Sequence, residues 1–316
     1  MAWKVAVVGL GIMGRRMIEH MGRHEAFAPT LLWDPSAEAC AKAAGIAPAA
    51  RIAGSASEAI AGADVVYLAC PPAPRKALAL EAAAAGKAVF LEKPLGVDVA
   101  ESRDLVARLE AAGAKAAVNF TQAAGAALAR VLEDEAMGAS LGADIIVTYP
   151  AWPRAWQREA DWLRFAAEGG YTREVISHFL FFAARCLGPL WLEWARLTYP
   201  ADPALCETHI AARLVSEAGA PVSVFGSVGG AQPDRQEVTI KGARRSWRIS
   251  DFYLSAVSDG GPFDAVQKPL DDPRAPALRA QLDHLDLMMK GAPHRLATLR
   301  EALAVQELVE AMLARA

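Results

Sequence analysis

The chain has 316 residues, enough for one large or two ordinary domains with full hydrophobic cores. Its composition, 53% hydrophobic and 22% charged, is typical of a globular protein and excludes an extensively disordered chain. A net charge of −3 without a polybasic block argues against nucleic acid or an anionic membrane as a partner. The apolar runs are shorter than the roughly 20 residues of a membrane span, and no signal peptide is visible, so we expect no membrane association.

The cysteine and histidine residues show no complete metal-ligand pattern. The four cysteines are scattered without a C-x-x-C pair. Of the six histidines, His20 and His24 are spaced H-x-x-x-H, but no cysteine or third histidine lies near them in the sequence. We therefore expect reduced thiols, a cytoplasmic location and no catalytic metal.

A glycine-rich turn follows the first predicted strand. Strand, turn and helix are Val5–Val8, Gly9-Leu10-Gly11-Ile12-Met13-Gly14 and Arg15–His20. In a dinucleotide-binding turn, Gly9 makes the bend, Gly11 lets a pyrophosphate approach the backbone, and Gly14 lets the helix pack close to the sheet. Ile12 and Met13 lie at the helix N-terminus, where N–H groups and the helix dipole favour phosphates.

An acidic residue follows at the distance expected for ribose binding. The second predicted strand, Leu31–Trp33, ends at Asp34, twenty positions after Gly14. A carboxylate there accepts hydrogen bonds from the adenine-ribose diol and repels a 2′-phosphate, so the pattern favours NAD over NADP. The alternative is a glycine-rich turn in an unrelated α/β protein, with Asp34 capping the next helix.

Strands and helices alternate through the first 120 residues. Further strands are predicted at Val65–Ala69, Ala88–Leu91 and Ala116–Phe120, and further helices at Ala37–Ala44, Ala56–Ala61, Arg75–Ala85 and Ala100–Ala112. Gly45, Gly86 and Gly113 are the predicted C-terminal caps of three helices. The alternation predicts a doubly wound parallel sheet of the Rossmann type, covered on both faces, with a dinucleotide across the carboxyl ends of its strands.

Two other strand ends carry candidate residues. The third strand ends in Cys70-Pro71-Pro72, whose prolines fix the backbone and delay the next helix. This loop would cover the cofactor beside the glycine turn, unless it is an ordinary proline loop. The fourth strand ends in Glu92-Lys93-Pro94-Leu95. A lysine at this end of a parallel strand points into the cleft and can donate to a substrate oxygen, unless it belongs to a solvated turn.

The sequence pattern changes after Phe120. A helix is predicted over Ala123–Met137 and a strand over Gly142–Tyr149, and a loop rich in tryptophan and arginine follows. The region from Trp191 to Val257 is mostly β and predicts an open, largely antiparallel sheet covered by helices on one face. Helices are predicted again over Leu278–Lys290 and Leu299–Leu313. We predict a Rossmann dinucleotide-binding domain over residues 1–120 and an α+β domain for substrate binding and oligomerisation over residues 121–316.

A helix predicted from about Tyr171 to Cys186 carries a candidate general acid/base. His178 titrates near neutral pH, and Glu174 lies four positions before it, so the two would share one helix face. The carboxylate would set the tautomer of a histidine that exchanges a hydroxyl proton during hydride transfer. The alternative is a histidine satisfied inside an apolar helix. His209 and His284 are predicted to be structural or surface residues.

On these motifs the chain resembles the Gfo/Idh/MocA family of NAD(P)-dependent oxidoreductases. The similar stretches are Gly9–Gly14, Cys70-Pro71-Pro72, Ala85-Gly86-Lys87 leading to Glu92-Lys93-Pro94-Leu95, the Gly-Gly helix with His178, and Gln281-Leu282-Asp283-His284. The resemblance implies hydride transfer between a nicotinamide and a sugar, cyclitol or related carbonyl or alcohol compound. It implies that Lys93 hydrogen-bonds the reacting oxygen and that His178 moves the proton. It also implies a homodimer or homotetramer formed through the open sheet, and it favours a cis Lys93–Pro94 peptide bond.

The chain differs from the family pattern before His178. Where the family usually has D-x-G-x-x-x-H or D-x-G-x-H, Glu174 takes the aspartate position and Ile176 the glycine position, and three tryptophans occupy the preceding loop. Pocket walls built from these side chains favour a flatter or less hydroxylated substrate than a free hexose. The predicted pocket residues are Asn119, Thr121, Gln122, Trp152, Trp156, Trp162 and Arg173. The predicted cofactor contacts are Gly9, Gly11, Ile12, Met13, Gly14, Asp34, Cys70, Pro71, Pro72, Glu92 and Lys93, and the predicted catalytic residues are Lys93, His178 and Glu174.

Three other functions stay open. One is a glycoside hydrolase or lyase that oxidises its substrate transiently with tightly held NAD. Another is an imine reductase, which the start Gly-Leu-Gly-x-Met-Gly also fits although the β-rich second half argues against it. The third is a non-catalytic NAD-binding sensor, against which the presence of both Lys93 and His178 argues. A nucleophilic serine hydrolase is not favoured, because the chain has no Gly-x-Ser-x-Gly elbow.

Overall fold

Two compact units make up the chain. The computed structural model describes residues 2–268 and 270–314. The first unit comprises Met1–Phe120 and Leu278–Leu303, and the second comprises Thr121–Ala277 and Ala304–Ala316. Within the described residues, no helix combines the length and the apolar character that a membrane span requires.

A parallel six-stranded sheet forms the centre of the first unit. Its strands are β1 (Trp3–Val8), β2 (Phe27–Trp33), β3 (Arg51–Ile52), β4 (Val65–Leu68), β5 (Ala88–Glu92) and β6 (Ala116–Asn119). The connecting helices are α1 (Ile12–Gly22), α2 (Ala37–Ile46), α3 (Ala56–Ala61), α4 (Pro72–Ala84) and α5 (Val99–Ala111). The spatial order β3-β2-β1-β4-β5-β6 reverses direction between β1 and β4, which is the switch point where such sheets bind ligands. The predicted Rossmann sheet is confirmed.

The core of the first unit includes residues from the end of the chain. Val5 and Val7 of β1 are fully buried, as expected for a strand covered on both faces. They belong to one apolar cluster with Leu282, Leu285 and Leu296. The first two of these leucines lie on α8 (Arg274–Met289), which precedes the last helix, α9 (Leu299–Leu313). The first unit therefore needs the segment Leu278–Leu303 to complete its core.

An eight-stranded sheet forms the centre of the second unit. Its strands are β7 (Ser140–Tyr149), β8 (Leu190–Thr198), β9 (His209–Ser216), β10 (Pro221–Val228), β11 (Arg235–Gly242), β12 (Ser246–Ser250), β13 (Leu254–Ser258) and β14 (Asp264–Ala265). They follow the order β14-β13-β12-β11-β7-β10-β9-β8, in which β7 and β10 are parallel and the other pairs antiparallel. Helix α7 (Ser177–Leu187) packs on β7 and β11. The predicted open, mostly antiparallel sheet with helices is confirmed.

Two predictions about helix ends are wrong. Gly45 lies inside α2, and the C-cap is Ala47. Helix α4 begins at Pro72 with Pro71 as its N-cap, so the prolines start this helix instead of delaying it. The first helical N–H groups have no intrahelical acceptor, and a proline at the first position therefore loses no hydrogen bond. Gly86 and Gly113, with φ of +69° and +60°, do follow the ends of α4 and α5 as predicted.

The helix predicted over Ala123–Met137 is shorter than expected. Helix α6 covers Ala126–Glu133 and is followed by a 3₁₀ turn, Glu135–Met137. Asp134 separates the two, because its Oδ1 accepts the N–H of Ala136 at 3.0 Å and caps the turn. A side chain that bonds to a nearby backbone N–H in this way competes with continuation of a helix.

Candidate active site

The glycine turn is held by two close backbone contacts. Gly9 has φ of +94°, and a Cβ there would lie 2.4 Å from the backbone nitrogen of Cys70. A Cβ on Gly14 would lie 2.0 Å from the carbonyl oxygen of Gly9. Both positions therefore require glycine for reasons internal to the protein. The backbone at Cys70 lies against the first glycine, which is where the sequence placed the Cys70-Pro71-Pro72 loop.

Gly11 is a glycine that the protein itself does not require. Its φ is −66°, which any residue adopts, and a Cβ built there meets no other atom of residues 2–268 and 270–314 within 4 Å, its two chain neighbours apart. Gly11 is the N-cap of α1 and has no capping side chain, and the first turn, which includes Ile12 and Met13, has no acidic residue. A phosphate lying against this turn explains the missing Cβ and supplies acceptors for the N–H groups. The residues present therefore fit a dinucleotide pyrophosphate.

Asp34 supports the same turn from the end of β2. Its Oδ2 accepts the N–H of Leu10 at 2.7 Å, and its Oδ1 accepts the N–H of Ser36 at 2.8 Å. The cap of α2 is Ser36, whose hydroxyl accepts the N–H of Ala39 at 3.2 Å, so Asp34 is not the helix cap. Each carboxylate oxygen keeps a further lone pair and can accept a ribose hydroxyl as well.

Glu92 and Asn119 form a buried polar network in the first unit. Glu92 is 6% exposed and accepts hydrogen bonds from the hydroxyl of Tyr67 and from Nδ2 of Asn119, the latter at 2.6 Å. Oδ1 of Asn119 accepts from Nε2 of Gln281 at 3.2 Å. Burial raises the pKa of Glu92, and the hydrogen bonds from Tyr67 and Asn119 act in the opposite direction. The side chains of Glu92 and Asn119 thus support the end of β5, and their contacts to cofactor and substrate stay predictions.

Arg75 fixes the backbone on both sides of Lys93. Its Nη1 donates to the carbonyl oxygen of Glu92 at 2.7 Å and to that of Pro94, and its Nη2 donates to that of Cys70 at 2.5 Å. The Lys93–Pro94 peptide bond is cis, as the resemblance favoured. Sequence reasoning missed Arg75, because arginine in a helix is ordinarily exposed and nothing in the sequence marks this one as buried.

A π-helix, Thr172–Ile176, precedes α7 and carries Glu174. The N–H of Ser177 bonds to the carbonyl of Thr172, five residues back, so the regular α-helical spacing predicted between Glu174 and His178 does not hold in the first turn. Single π turns are frequent at functional sites. Within residues 171–178, Glu174 is the half-buried side chain and the others, His178 included, are buried.

The turn between β12 and β13 packs on His178. The Phe252 ring meets the His178 ring edge-on, with centroids 5.3 Å apart, and stacks on Phe179 at 5.0 Å. Asp251 and Phe252 have φ of +49° and +67°. This left-handed conformation costs about 1–2 kcal/mol for each residue that is not glycine. Strained backbone of this kind clusters at functional sites, and Phe252 is a candidate that sequence reasoning missed.

Gln122 contacts the same turn, between β12 and β13. Its Nε2 donates to the carbonyl oxygen of Phe252 at 3.3 Å. Its Oε1 is buried and accepts no hydrogen bond from the residues that the structure describes. A buried acceptor without a donor carries an energetic cost that a ligand hydroxyl would remove. Thr121, the preceding predicted pocket residue, is half-buried.

Trp152 and Trp156 lie around Arg154. The guanidinium carbon of Arg154 lies 5.9 Å from the centre of the Trp152 ring, 4.8 Å from that of Trp156 and 4.9 Å from that of Tyr149. Trp152 also donates from Nε1 to the carbonyl oxygen of Leu163 at 2.9 Å. Trp162 lies in a separate 3₁₀ turn, Asp161–Arg164, and is half-buried.

Arg173 is buried and forms an ion pair with the half-buried Glu310. Its Nε and Nη2 donate to the two carboxylate oxygens of Glu310 at 2.6 and 2.8 Å. Its Nη1 donates to the carbonyl oxygens of Ala166 and Gly169 at 2.7 and 2.9 Å. The guanidinium therefore holds the Gly169-Gly170 loop and α9 together within the second unit. Its predicted place on a pocket wall stays a prediction.

The first part of the chain is similar in sequence to known proteins. Residues 3–120 match the Gfo/Idh/MocA family, described as an oxidoreductase family with an NAD-binding Rossmann fold. Inositol 2-dehydrogenase from Cereibacter sphaeroides is 39% identical over 118 residues, which are 36% of this chain and 34% of that protein. The alignment thus spans about a third of the length of this curated relative.

Solved structures are similar along almost the whole chain. An oxidoreductase from Agrobacterium radiobacter in complex with NAD+, L-tartaric acid and magnesium has a TM-score of 0.85 at 18% identity, covering 98% of this chain and 95% of that one. A putative myo-inositol dehydrogenase from Sinorhizobium meliloti 1021 has a TM-score of 0.80 at 19% identity, covering 98% and 96%. These identities establish the shared fold, and the family match establishes the NAD-binding character of the first unit. Residues 3–120 are thus similar to the NAD-binding Rossmann domain of the Gfo/Idh/MocA oxidoreductases.

Proposed function

We propose that the chain is an NAD-dependent oxidoreductase acting on a small compound with a hydroxyl or carbonyl group. The observation that carries the proposal is Gly11, because the protein alone gives no reason for a glycine at the start of α1. The turn Gly9–Gly14 and the first N–H groups of α1 would hold the pyrophosphate, and Asp34 the ribose. When bound there, NAD supplies the hydride acceptor or donor.

Lys93 and His178 are the proposed catalytic residues. Lys93 donates a hydrogen bond to the reacting oxygen, and Arg75 fixes its backbone through the neighbouring carbonyl groups. His178 exchanges the proton of that oxygen, while the ring of Phe252 restrains the imidazole. Glu174 sets the tautomer of His178 or binds a polar group of the substrate. A positioned donor at the oxygen and a positioned proton carrier each contribute roughly 10²–10⁴-fold to such reactions.

The test is a panel of sugars, cyclitols, aldehydes and imines followed by nicotinamide absorbance in both directions. We expect a net absorbance change with a hydroxyl or carbonyl compound. Product formation without any net change would support transient oxidation by a hydrolase or lyase instead. Reduction restricted to imines would support an imine reductase, and cofactor binding without any product would support a sensor.

The cofactor preference follows from Asp34. We expect NADH to bind more tightly than NADPH, because the carboxylate accepts from the ribose diol and repels a 2′-phosphate. Replacing Asp34 with asparagine should weaken NADH binding by roughly 10–100-fold, the loss typical of a hydrogen bond to a charged group, without weakening NADPH binding. The measurement is calorimetric titration of both dinucleotides.

Asp64→Asn is the matched control for the cofactor titrations. Asp64 also accepts a backbone N–H, from Lys4 at 2.9 Å, but it precedes β4 and so lies at the opposite end of the parallel strands from Asp34. This variant should keep the wild-type preference. Equal or tighter binding of NADPH by the wild-type chain would contradict the assignment of Asp34.

We also propose that the chain forms a homodimer or homotetramer through the open sheet. The register pairs Trp191 with Val215, Trp194 with Arg213 and Phe225 with Ala211, which places the three aromatic residues on one face. These residues are 50%, 49% and 51% exposed. Exposed aromatic residues clustered on one face are typical of a protein interface.

Light scattering tests this assembly. The wild-type chain should have the mass of a dimer or tetramer, and the pair of substitutions Trp194→Lys and Phe225→Lys should lower it. Leu132→Lys is the control, because Leu132 is 52% exposed on α6 and lies outside the sheet. A monomeric wild-type mass would refute the proposal.

We propose a cytoplasmic location because the cysteine thiols are free. All four cysteines are free, and Cys70 and Cys206 are buried. Free thiols persist in a reducing compartment.

A further inference from the structure

We infer that Arg154 binds a negatively charged group of the substrate, so that the preferred compound is a hydroxylated acid carrying a carboxylate. The inference rests on the proposed function and adds to it the chemical class of the substrate. It depends on the position of Arg154, on the neutrality of its partners and on a second cation beside it.

The guanidinium of Arg154 is held in place by neutral groups. Its Nε donates to Oε1 of Gln157 at 2.9 Å, and its Nη1 donates to Oε1 of Gln236 at 3.1 Å. The hydroxyl of Tyr149 donates to the same oxygen of Gln236, which fixes the amide. Gln157 is 2% exposed, so it is itself immobilised. A side chain ordered in advance loses less conformational entropy when a ligand binds.

The charge of Arg154 is not neutralised by a carboxylate of the described residues. No Asp or Glu among residues 2–268 and 270–314 lies within ion-pair distance of it. Arg173, by contrast, pairs with Glu310 through two bonds. The two amide contacts use two of the five N–H groups of Arg154, and the others can form the paired bonds that a carboxylate accepts from a guanidinium.

Arg274 adds a second positive charge at Trp156. Its guanidinium carbon lies 5.5 Å from the centre of the Trp156 ring, which Arg154 contacts at 4.8 Å. Arg274 also lacks an ion-pair partner among the residues that the structure describes. Two like charges near one ring repel each other, and an anion beside them offsets this repulsion because it is attracted to both. Trp156 is 42% exposed, so the ring is accessible to solvent.

Arg154 is linked to the proposed catalytic residue His178 through hydrogen bonds and ring contacts within the second unit. Nε2 of Gln236 donates to Oδ1 of Asp251 at 3.3 Å, and the next residue, Phe252, packs on His178. The charges of Arg154, Asp234, Asp251 and Glu174 also act on the hydroxyl of Tyr149, whose pKa is raised chiefly by burial. Asp251 and Glu174 can accept from hydroxyl groups, which fits a substrate that carries hydroxyls as well as an acid.

The test compares glucuronate with glucose, which differ in a carboxylate against a CH₂OH group, and galacturonate with galactose. Turnover is measured with NAD at varied substrate concentration. We expect the uronate of each pair to have the higher kcat/KM. Arg154→Gln should raise KM for the uronates by roughly 10–100-fold, with kcat little changed and no effect on the neutral sugars. Arg154→Lys, which keeps the positive charge without the planar pair of donors, should raise KM for the uronates by less.

Arg158→Gln is the matched control, because Arg158 is an exposed arginine of the same loop. It should leave all four compounds unaffected, and NADH titration should show that every variant keeps its cofactor site. Equal turnover of the two members of each pair, unchanged in Arg154→Gln, would overturn the inference and leave the oxidoreductase proposal standing.

If no compound of either pair is turned over, calorimetric titration of the NAD-loaded protein with both uronates tests the anion site directly. Binding that Arg154→Gln abolishes supports the anion site independently of turnover. Absence of binding by both uronates overturns the inference.

Discussion

Replacing Lys93 with methionine should lower kcat by about 10²–10⁴-fold while NADH binding stays within about twofold of wild type. The methionine keeps the unbranched chain and removes the ammonium that would donate to the reacting oxygen, which is the scale of loss expected for a positioned donor at a developing charge. The fold around it should persist, because Arg75 bonds to the backbone carbonyl groups of Glu92 and Pro94. The measurements are steady-state turnover on an active compound of the panel and calorimetric titration with NADH.

Lys87→Met is the control for this substitution. Lys87 precedes β5, whose last residue is Glu92, so it lies at the other end of the strand from Lys93. Its replacement should not change turnover. Wild-type turnover by Lys93→Met would remove Lys93 from the catalytic assignment and leave the dinucleotide site untouched.

Alanine substitutions at Gly9 and Gly11 should have opposite effects on stability. At Gly9 the new Cβ would meet the backbone of Cys70 at 2.4 Å with φ at +94°, which should cost about 2–5 kcal/mol of unfolding free energy. At Gly11 the conformation suits alanine and the space is open, so the free energy of unfolding should stay constant or rise by up to about 1 kcal/mol. The same substitution should weaken NADH binding by at least about tenfold, because the Cβ occupies the surface offered to the pyrophosphate.

Urea unfolding of the protein without cofactor and calorimetric titration with NADH check both substitutions. Each serves as the control of the other, since the chemical change is identical and the positions lie two residues apart. Wild-type NADH affinity in Gly11→Ala would show that the pyrophosphate does not lie on this turn. Wild-type stability in Gly9→Ala would contradict the close contact with Cys70.

The parallel sheet could be predicted because each of its longer strands is marked by residues within its own short segment. Val5–Val8 and Val65–Leu68 are continuous apolar runs, as strands buried on both faces require, and a glycine turn or proline loop ends each. The β-rich second half is likewise marked by short strands and turn residues. Strand β3 escaped prediction because Arg51 and Ile52 are two exposed residues without an apolar pattern.

The supports of the candidate site could not be predicted because their partners are distant along the chain. Asn119 bonds to Gln281, which is 162 residues away, and Arg173 pairs with Glu310, which is 137 residues away. Phe252 gave no signal, since its positive φ occurs without a glycine. The π turn around Glu174 was missed because the hydrophobic spacing of an apolar helix does not distinguish an inserted residue.

The contribution of Leu278–Leu303 to the first unit has a consequence for synthesis on the ribosome. The strands β1 to β6 leave the ribosome early, but Leu282, Leu285 and Leu296 of their apolar cluster follow much later. At about 5–20 residues per second, translation from residue 120 to residue 303 takes roughly 10–40 s. During this interval the nascent Rossmann sheet exposes a hydrophobic surface that only the emerging tail can cover. The order of translation thus delays completion of the nucleotide-binding unit until nearly the end of synthesis, although this unit is the first to be started.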